Sequence, residues 1–414
     1  MKDIQKKIIF LVLVIGIGLI GCSSKNEKTL ENNVVIWLVG SERQAETIRK
    51  VSKQFTEETG IKIFCESLSW HEAHTKYLTA IAGGVAPDIG TMGLTWGMEF
   101  GKTGALVDLR KEFGEEISTI EKKIFPGILA STRHGDKNYG IPFDFTEQVM
   151  YYRTDIIKQP PETWDELLDL LKELKKDNKG MLIDWGSLDW IGFSPFLWQA
   201  NGTYFNEDYT SVTLATPEAT RAITFFSSLY EHGVPKTYIP IEQGLKNGDY
   251  PIAIAGSWKI ISLLLLAPNI ADKWEISMLP QGPSGKRTAF IGGRVLSIFE
   301  MSKMKKQSWQ FIKFLFKPQV QVEIYKDLFG SATLLEDSYL PPNMDSWGNL
   351  PMEDKYKKIL EAQAKDAQGP PAVASWDTGK NHINHAIQKI VLKGADPILE
   401  LKIAQEAIQK EMEK

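Results

Sequence analysis

Residues able to do covalent or metal chemistry occur in this sequence singly or in incomplete sets. His71-Glu72-Ala73-His74 approaches the zinc-peptidase pattern, which needs two residues between the glutamate and the second histidine; here there is one. Two histidines three apart on a helix can share a metal, but a solvated first turn is the plainer account. His382 and His385 have the same spacing and the same account. Gly16-Ile17-Gly18-Leu19-Ile20-Gly21 spells the dinucleotide fingerprint, yet no strand-turn-helix surrounds it, so the match is accidental. No GxSxG, HExxH or phosphate-loop pattern is present. No catalytic group, cofactor or metal is therefore expected.

Binding chemistry is better represented. Pro142 fixes its own φ and biases Ile141 toward extended geometry, so Tyr139–Asp155 (YGIPFDFTEQVMYYRTD) reads as a strand or crossover. Crossing between two lobes, it would set Phe143, Asp144 and Thr146 at the floor of a cleft. In Gly256-Ser257-Trp258 the glycine allows close backbone approach, the following helix start offers free N–H groups, and the indole is a flat platform. Gly292-Gly293 again permits close approach. Arg294 beside it could take a carboxylate or sulfate of a ligand, or pair with Asp144 or Glu147 to latch a closed state; the pairing is favoured. Trp70, Trp96, Trp185 and Trp198 fall among glycine, serine or proline, where core packing explains them less well.

These groups need a large scaffold to position them. At 414 residues the chain is too long for one ordinary core, so two domains are expected. A net charge of −4 argues against a nucleic-acid binder, which should show a basic excess. Lys2, Lys6 and Lys7 precede an apolar run from Ile8 to Ile20 that is too short for a comfortable span and reads as a secretory signal. Val34–Val39 reads as a strand, Ile48, Val51 and Phe55 as one face of a helix ending at Gly60, and Ile61–Cys65 as a second strand. That is the βαβ signature of a parallel sheet, and the loops ending such strands put Glu42 and Trp96 at a cleft edge. Thr163-Trp164-Asp165-Glu166 is a capping box opening a helix with Leu167, Leu171 and Leu174 on its stripe. Ala289–Phe299 reads as a second crossover strand, and Trp376 as part of a loop after Gly369-Pro370-Pro371.

Leu19-Ile20-Gly21-Cys22 resembles the lipobox of bacterial lipoproteins. Behind it, AGGVAPD (82–88), GALVDL (104–109), YGIP (139–142), PETWDEL (161–167), AGSW (255–258) and FIGG (290–293) stand in fixed order. Together they resemble the extracellular solute-binding proteins of ABC importers, the family 1 sugar-binding group that includes maltose-binding protein. The resemblance implies an α/β, two-lobe, type II periplasmic-binding-protein-like fold, hinged, with the ligand cleft between the lobes. It implies a signal peptide over 1–21 and a lipidated Cys22 opening a tether over 22–32. Lobe one would be 33–142 plus 290–337, and lobe two 143–289 plus 338–414. Cleavage before Cys22 would leave Cys65 as the remaining cysteine, with no intramolecular disulfide.

The function implied is binding of a carbohydrate, an oligosaccharide and in one reading an acidic one, outside the bacterial cytoplasm, and its delivery to the permease subunits by hinge closure. The protein would be a monomer anchored to the membrane through Cys22, with no enzyme activity, no cofactor and no nucleic-acid partner. Trp258 matches a tryptophan that stacks on sugar in relatives, and Trp376 matches another such aromatic. Expected ligand-binding residues are Glu42, Trp70, Trp96, Phe143, Asp144, Thr146, Trp198, Ser257, Trp258, Gly293, Arg294 and Trp376. An exported glycosidase using two carboxylates and a lipoprotein serving a sensor remain the rival readings.

Overall fold

The computed structural model describes residues 32–329, 339–373 and 375–413. The expected signal peptide, Cys22 and nearly all of the tether lie outside the described residues. Strand β1 (Asn33–Val39) alternates buried and half-buried residues and lies parallel to both β2 (Lys62–Leu68) and β3 (Ile89–Gly93). The helix Glu42–Thr59 joins β1 to β2; Ser41 caps its start and Gly60, at φ 74°, ends it where an L side chain would be strained. A short hairpin, β4 (Arg133–His134) with β5 (Lys137–Asn138), precedes β6 (Ile141–Arg153).

Strand β6 carries the architecture. Over residues 141–147 it pairs antiparallel with β10 (Ala289–Ile298), which in turn pairs antiparallel with β3. Over residues 148–153 it pairs instead with β8 (Ile252–Gly256) and β9 (Trp274–Ser277), and β7 (Met181–Ile183) lies parallel to β8. The strand order is β2-β1-β3-β10-β6-β8-β7, with β11 (Ala367–Gln368) beside β10 and β9 beside β6. The β6–β10 register shifts between Arg294 and Val295, where the partner residue is Pro142, which has no N–H to give the ladder.

One hydrophobic core gathers Val34, Ile36, Phe55, Met92, Phe299 and Phe311, and runs under β6 to Val149, Tyr151, Trp274 and Leu360. A second gathers Leu167, Leu171, Phe193, Phe226 and Leu229. Strands β6 and β10 feed both: Phe145 and Ile291 pack in the first, Met150 and Phe290 in the second. Among the described residues, no helix is long and apolar enough to cross a membrane.

Candidate functional site

A cleft of about 410 Å³ opens where the carboxyl ends of strands from both halves of the sheet converge; its lining includes Trp70, Thr146, Asp184, Trp185, Trp258 and Gly293. Parallel strands β7 and β8 end there, so Asp184-Trp185, directly after β7, and Trp258, two residues after β8, enter it. From the opposite side Trp70 comes in at the start of the helix Trp70–Gly83, just after β2. Thr146 and Gly293, on the two strands common to both cores, make its floor. This is the place where an open α/β sheet offers loop side chains and free backbone groups to a ligand.

Two indoles dominate it. Trp185 and Trp258 meet edge to face with centroids 5.0 Å apart, and Trp185 meets Phe290 in the same way at 5.0 Å. Trp185 has φ +59°, an outlying conformation for a bulky side chain, and such strain gathers at binding and catalytic sites. Its N–H donates to the Asp184 carboxylate at 2.8 Å, and its carbonyl accepts from the Gln148 amide at 3.2 Å, which hold the turn. Gly292 gives the ring room, since a β-carbon there would lie 2.8 Å from Trp185. Gly256 does the same for Trp258, whose own ring would meet a β-carbon at 1.7 Å.

Polar groups stand beside the rings. The Thr146 and Ser257 hydroxyls share a hydrogen bond of 2.9 Å, and the Ser257 N–H donates to the Glu147 carbonyl at 2.8 Å. The Lys259 ammonium lies 3.0 Å from both Asp184 and Glu242. Burial works against its charge, but those two carboxylates outweigh burial and hold its pKa above the usual lysine value. Burial also opposes the charge on Glu242, and the Ser262 hydroxyl with the Lys259 ammonium brings its carboxyl below the usual range. The cleft thus offers flat apolar faces, a hydroxyl and an ion pair, with no excess of positive charge.

Of the expected residues, Trp70, Thr146, Trp258 and Gly293 line this cleft, and Ser257 supports it from beneath. Trp96 stands behind Trp70, edge to face at 5.7 Å. The others fall elsewhere. Trp376, 1% exposed, is the first residue of the helix Trp376–Lys393 rather than part of a loop, and is wedged between Trp190 and Tyr204 at 5.0 Å each. It is a core residue. Trp198, 3% exposed, stacks on Phe290 and faces a separate groove with Tyr204 and Tyr209. Glu42 lies on the outer surface, accepting from Ser67 at 2.6 Å and pairing with Arg49. An acidic residue in a first helical turn is as well placed for the helix dipole as for a ligand.

Phe143, Asp144 and Arg294 line a separate narrow space of about 30 Å³, too small for anything beyond water. Arg294 is 1% exposed; its Nε donates to both Asp144 oxygens at 3.1 Å, and the guanidinium also reaches Gln44 at 2.8 Å and the Val39 carbonyl. The guanidinium lies over the Phe143 and Tyr339 rings. Burial pushes the Asp144 carboxyl up while Arg294 pulls it back. Arg294 thus pairs with Asp144, one of the two partners expected for it, and is not among the residues that line the cleft.

Trp185, singled out in the sequence for its glycine neighbour, also lines the cleft, as do Asp184, Tyr238, Lys259 and Tyr339, which the sequence reading had not picked out. The pair Trp185-Gly186 at the end of the Met181-Leu182-Ile183 run was the available signal, a rigid ring beside a turn residue after a buried strand.

The family model for bacterial extracellular solute-binding proteins matches residues 50–352. A protein of Brucella abortus described only as a binding protein is 26% identical over 378 residues, 86% of this chain and 87% of its own length. The maltooligosaccharide ABC transporter solute-binding lipoprotein of Streptococcus pneumoniae is 24% identical over 363 residues, 82% of this chain and 81% of the relative. The sugar-binding protein MalE of Xanthomonas citri superposes with a TM-score of 0.82 at 21% identity, covering 92% of this chain and 97% of that one, which gives the two chains one fold. That shared fold, the ordered motifs and the family match over most of the chain agree. This chain belongs to the bacterial extracellular solute-binding proteins.

Proposed function

We propose that the cleft holds a neutral oligosaccharide and that the protein delivers it to the permease of an ABC importer. The observation that carries this reading is the pair of indoles at 5.0 Å beside Thr146, Asp184 and Lys259. A sugar ring presents apolar C–H faces that a rigid indole covers, and a rim of hydroxyls that carboxylates, ammonium groups and hydroxyls take up. The names of the Streptococcus pneumoniae and Xanthomonas citri proteins are those of oligosaccharide and sugar binders, which supports the same class. The burial of Arg294 in its pair with Asp144 favours a neutral sugar over an acidic one.

In this reading residues 33–142 with 290–337 and residues 143–289 with 338–414 are the two lobes, and β6 and β10 are their crossovers. Ligand contacts both lobes only when they close, so binding shifts the population toward the closed form that the permease reads. Cys22 would carry the lipid that keeps the monomer at the membrane, and no covalent chemistry is required of the cleft.

The test is a thermal-shift screen of the purified chain against neutral oligosaccharides, uronates and sulfated sugars. A ligand specific for the folded state raises the melting temperature as its concentration rises. Neutral oligosaccharides are expected to do so, and Trp258→Ala to weaken them by about 2 kcal/mol or more, as loss of a central aromatic anchor does. A shift confined to acidic sugars would overturn the neutral assignment, and silence across the panel would overturn the carbohydrate one.

A further inference from the structure

We propose that His74, Glu99 and Asp377 form a site for a transition-series divalent cation, Zn²⁺ being the best fit, which fastens the two cores together at the rim of the cleft. One ligand atom from each residue lies within 4.8 Å of the other two, and all three side chains are half-buried. His74 Nε2 is already 2.8 Å from Glu99 Oε2. Zinc bonds of about 2.0–2.2 Å place tetrahedral ligands about 3.4 Å apart, somewhat closer than the 4.8 Å within which these atoms already lie. An imidazole with two carboxylates suits zinc, and three protein ligands leave a fourth position open.

The imidazole is held in place by its neighbours. Phe100 stacks on it at 5.4 Å and Trp96 meets its edge at 5.2 Å, so the ring's orientation is set by packing. Asp377 is bound on one side by Lys380, and each carboxylate has a second oxygen.

The three residues come from two bodies, each packed on a different core. His74 lies on the helix bearing Tyr77, and Glu99 on the helix bearing Met98 and Phe100, all of them in the first core. Asp377 follows Trp376 and shares a helix with Ile383 and Ile387, all in the second core. A cation held by all three can bind fully only when the two bodies stand together. Trp96 links the site to Trp70 on the cleft lining, so metal should also tighten ligand binding, and ligand should tighten metal by the same factor. That last consequence rests on the function proposed above; metal binding itself does not.

Titration calorimetry of ZnCl₂ into the tag-free, EDTA-stripped chain, without sugar, tests the site. One Zn²⁺ per chain is expected. His74→Gln and Asp377→Asn should each weaken it by more than about tenfold, since even an outer partner of a metal ligand is worth that much. His71→Gln, an exposed neighbour on the same helix, should change nothing. Matching melting curves in EDTA would show that the variants are folded. No heat from the unmutated chain would overturn the site, leaving His74 a hydrogen-bond partner of Glu99 only. Loss in His74→Gln but not in Asp377→Asn would overturn the fastening. Equal affinity for CaCl₂, which prefers six to eight oxygens, would overturn the cation class.

Discussion

Asp144 and Arg294 face each other across β6 and β10 at the seam between the two halves of the sheet, and both are buried. Removing one member of such a pair strands the other charge in a poor solvent. Arg294→Met is therefore expected to cost about 3–5 kcal/mol, and the double change with Asp144→Leu much less, measured by urea unfolding. Three residues along β6, Glu147 is fully buried, and neither carboxylate oxygen has a hydrogen-bond partner among the described residues. Burial holds its pKa well above the usual value, so the native state keeps a proton that the unfolded chain releases near pH 4.3, about the ordinary glutamate value. Native protein then binds more protons than unfolded protein above that pH, and stability falls as pH rises through the window between the two pKa values. Glu147→Gln keeps the shape and removes the titration. Its stability advantage should be absent near pH 4 and reach about 1 kcal/mol or more by pH 8. A wild-type chain whose unfolding midpoint follows the variant's at every pH would show Glu147 to be ionised and compensated.

At the scale of elements, local signals decided what could be read beforehand. A continuous apolar run located β1 and an alternating one β2, each to within a few residues, and Gly60 ended the intervening helix as expected. The capping box formed with one variation: Thr163 Oγ1 accepts from the Glu166 N–H at 3.2 Å, while Glu166 reaches back to the Glu162 N–H at 2.7 Å rather than to Thr163 itself. Thr163→Ala should cost about 1 kcal/mol in a thermal or urea melt. The cleft was half legible because its floor follows from strand alternation, whereas its walls depend on which loop turns inward. Nothing local distinguishes Trp376, sealed behind Trp190, from Trp258, since both follow a serine. The Trp185 turn depends on Gly292, more than a hundred residues away, and no sequence window contains both. That distant contact is testable: Gly292→Ala would put a β-carbon 2.8 Å from the ring. It should lower oligosaccharide affinity through Trp185 by about 1–3 kcal/mol, the usual cost of overpacking, while leaving Trp258 in place.

At the scale of the whole molecule, the sharing of β6 and β10 between two cores bears on how the protein melts. Phe145 and Ile291 belong to one core, Met150 and Phe290 to the other, and each strand is continuous between them. Unfolding either core removes hydrogen-bonded partners from strands the other needs, so the two should open globally as one unit even if the lobes hinge freely while folded. Ligand at a hundredfold over its Kd stabilises the folded state by about 2.7 kcal/mol, which is a hundredfold in the opening equilibrium. Hydrogen exchange reads this site by site. The slowest amides of the helix Glu42–Thr59, in the first core, and of the helix Trp164–Lys176, in the second, should slow by the same factor on adding oligosaccharide. Equal slowing is what shared crossover strands require. Slowing in one helix with no change in the other would mean that the cores open independently, and that β6 and β10 act as flexible tethers rather than as common structure.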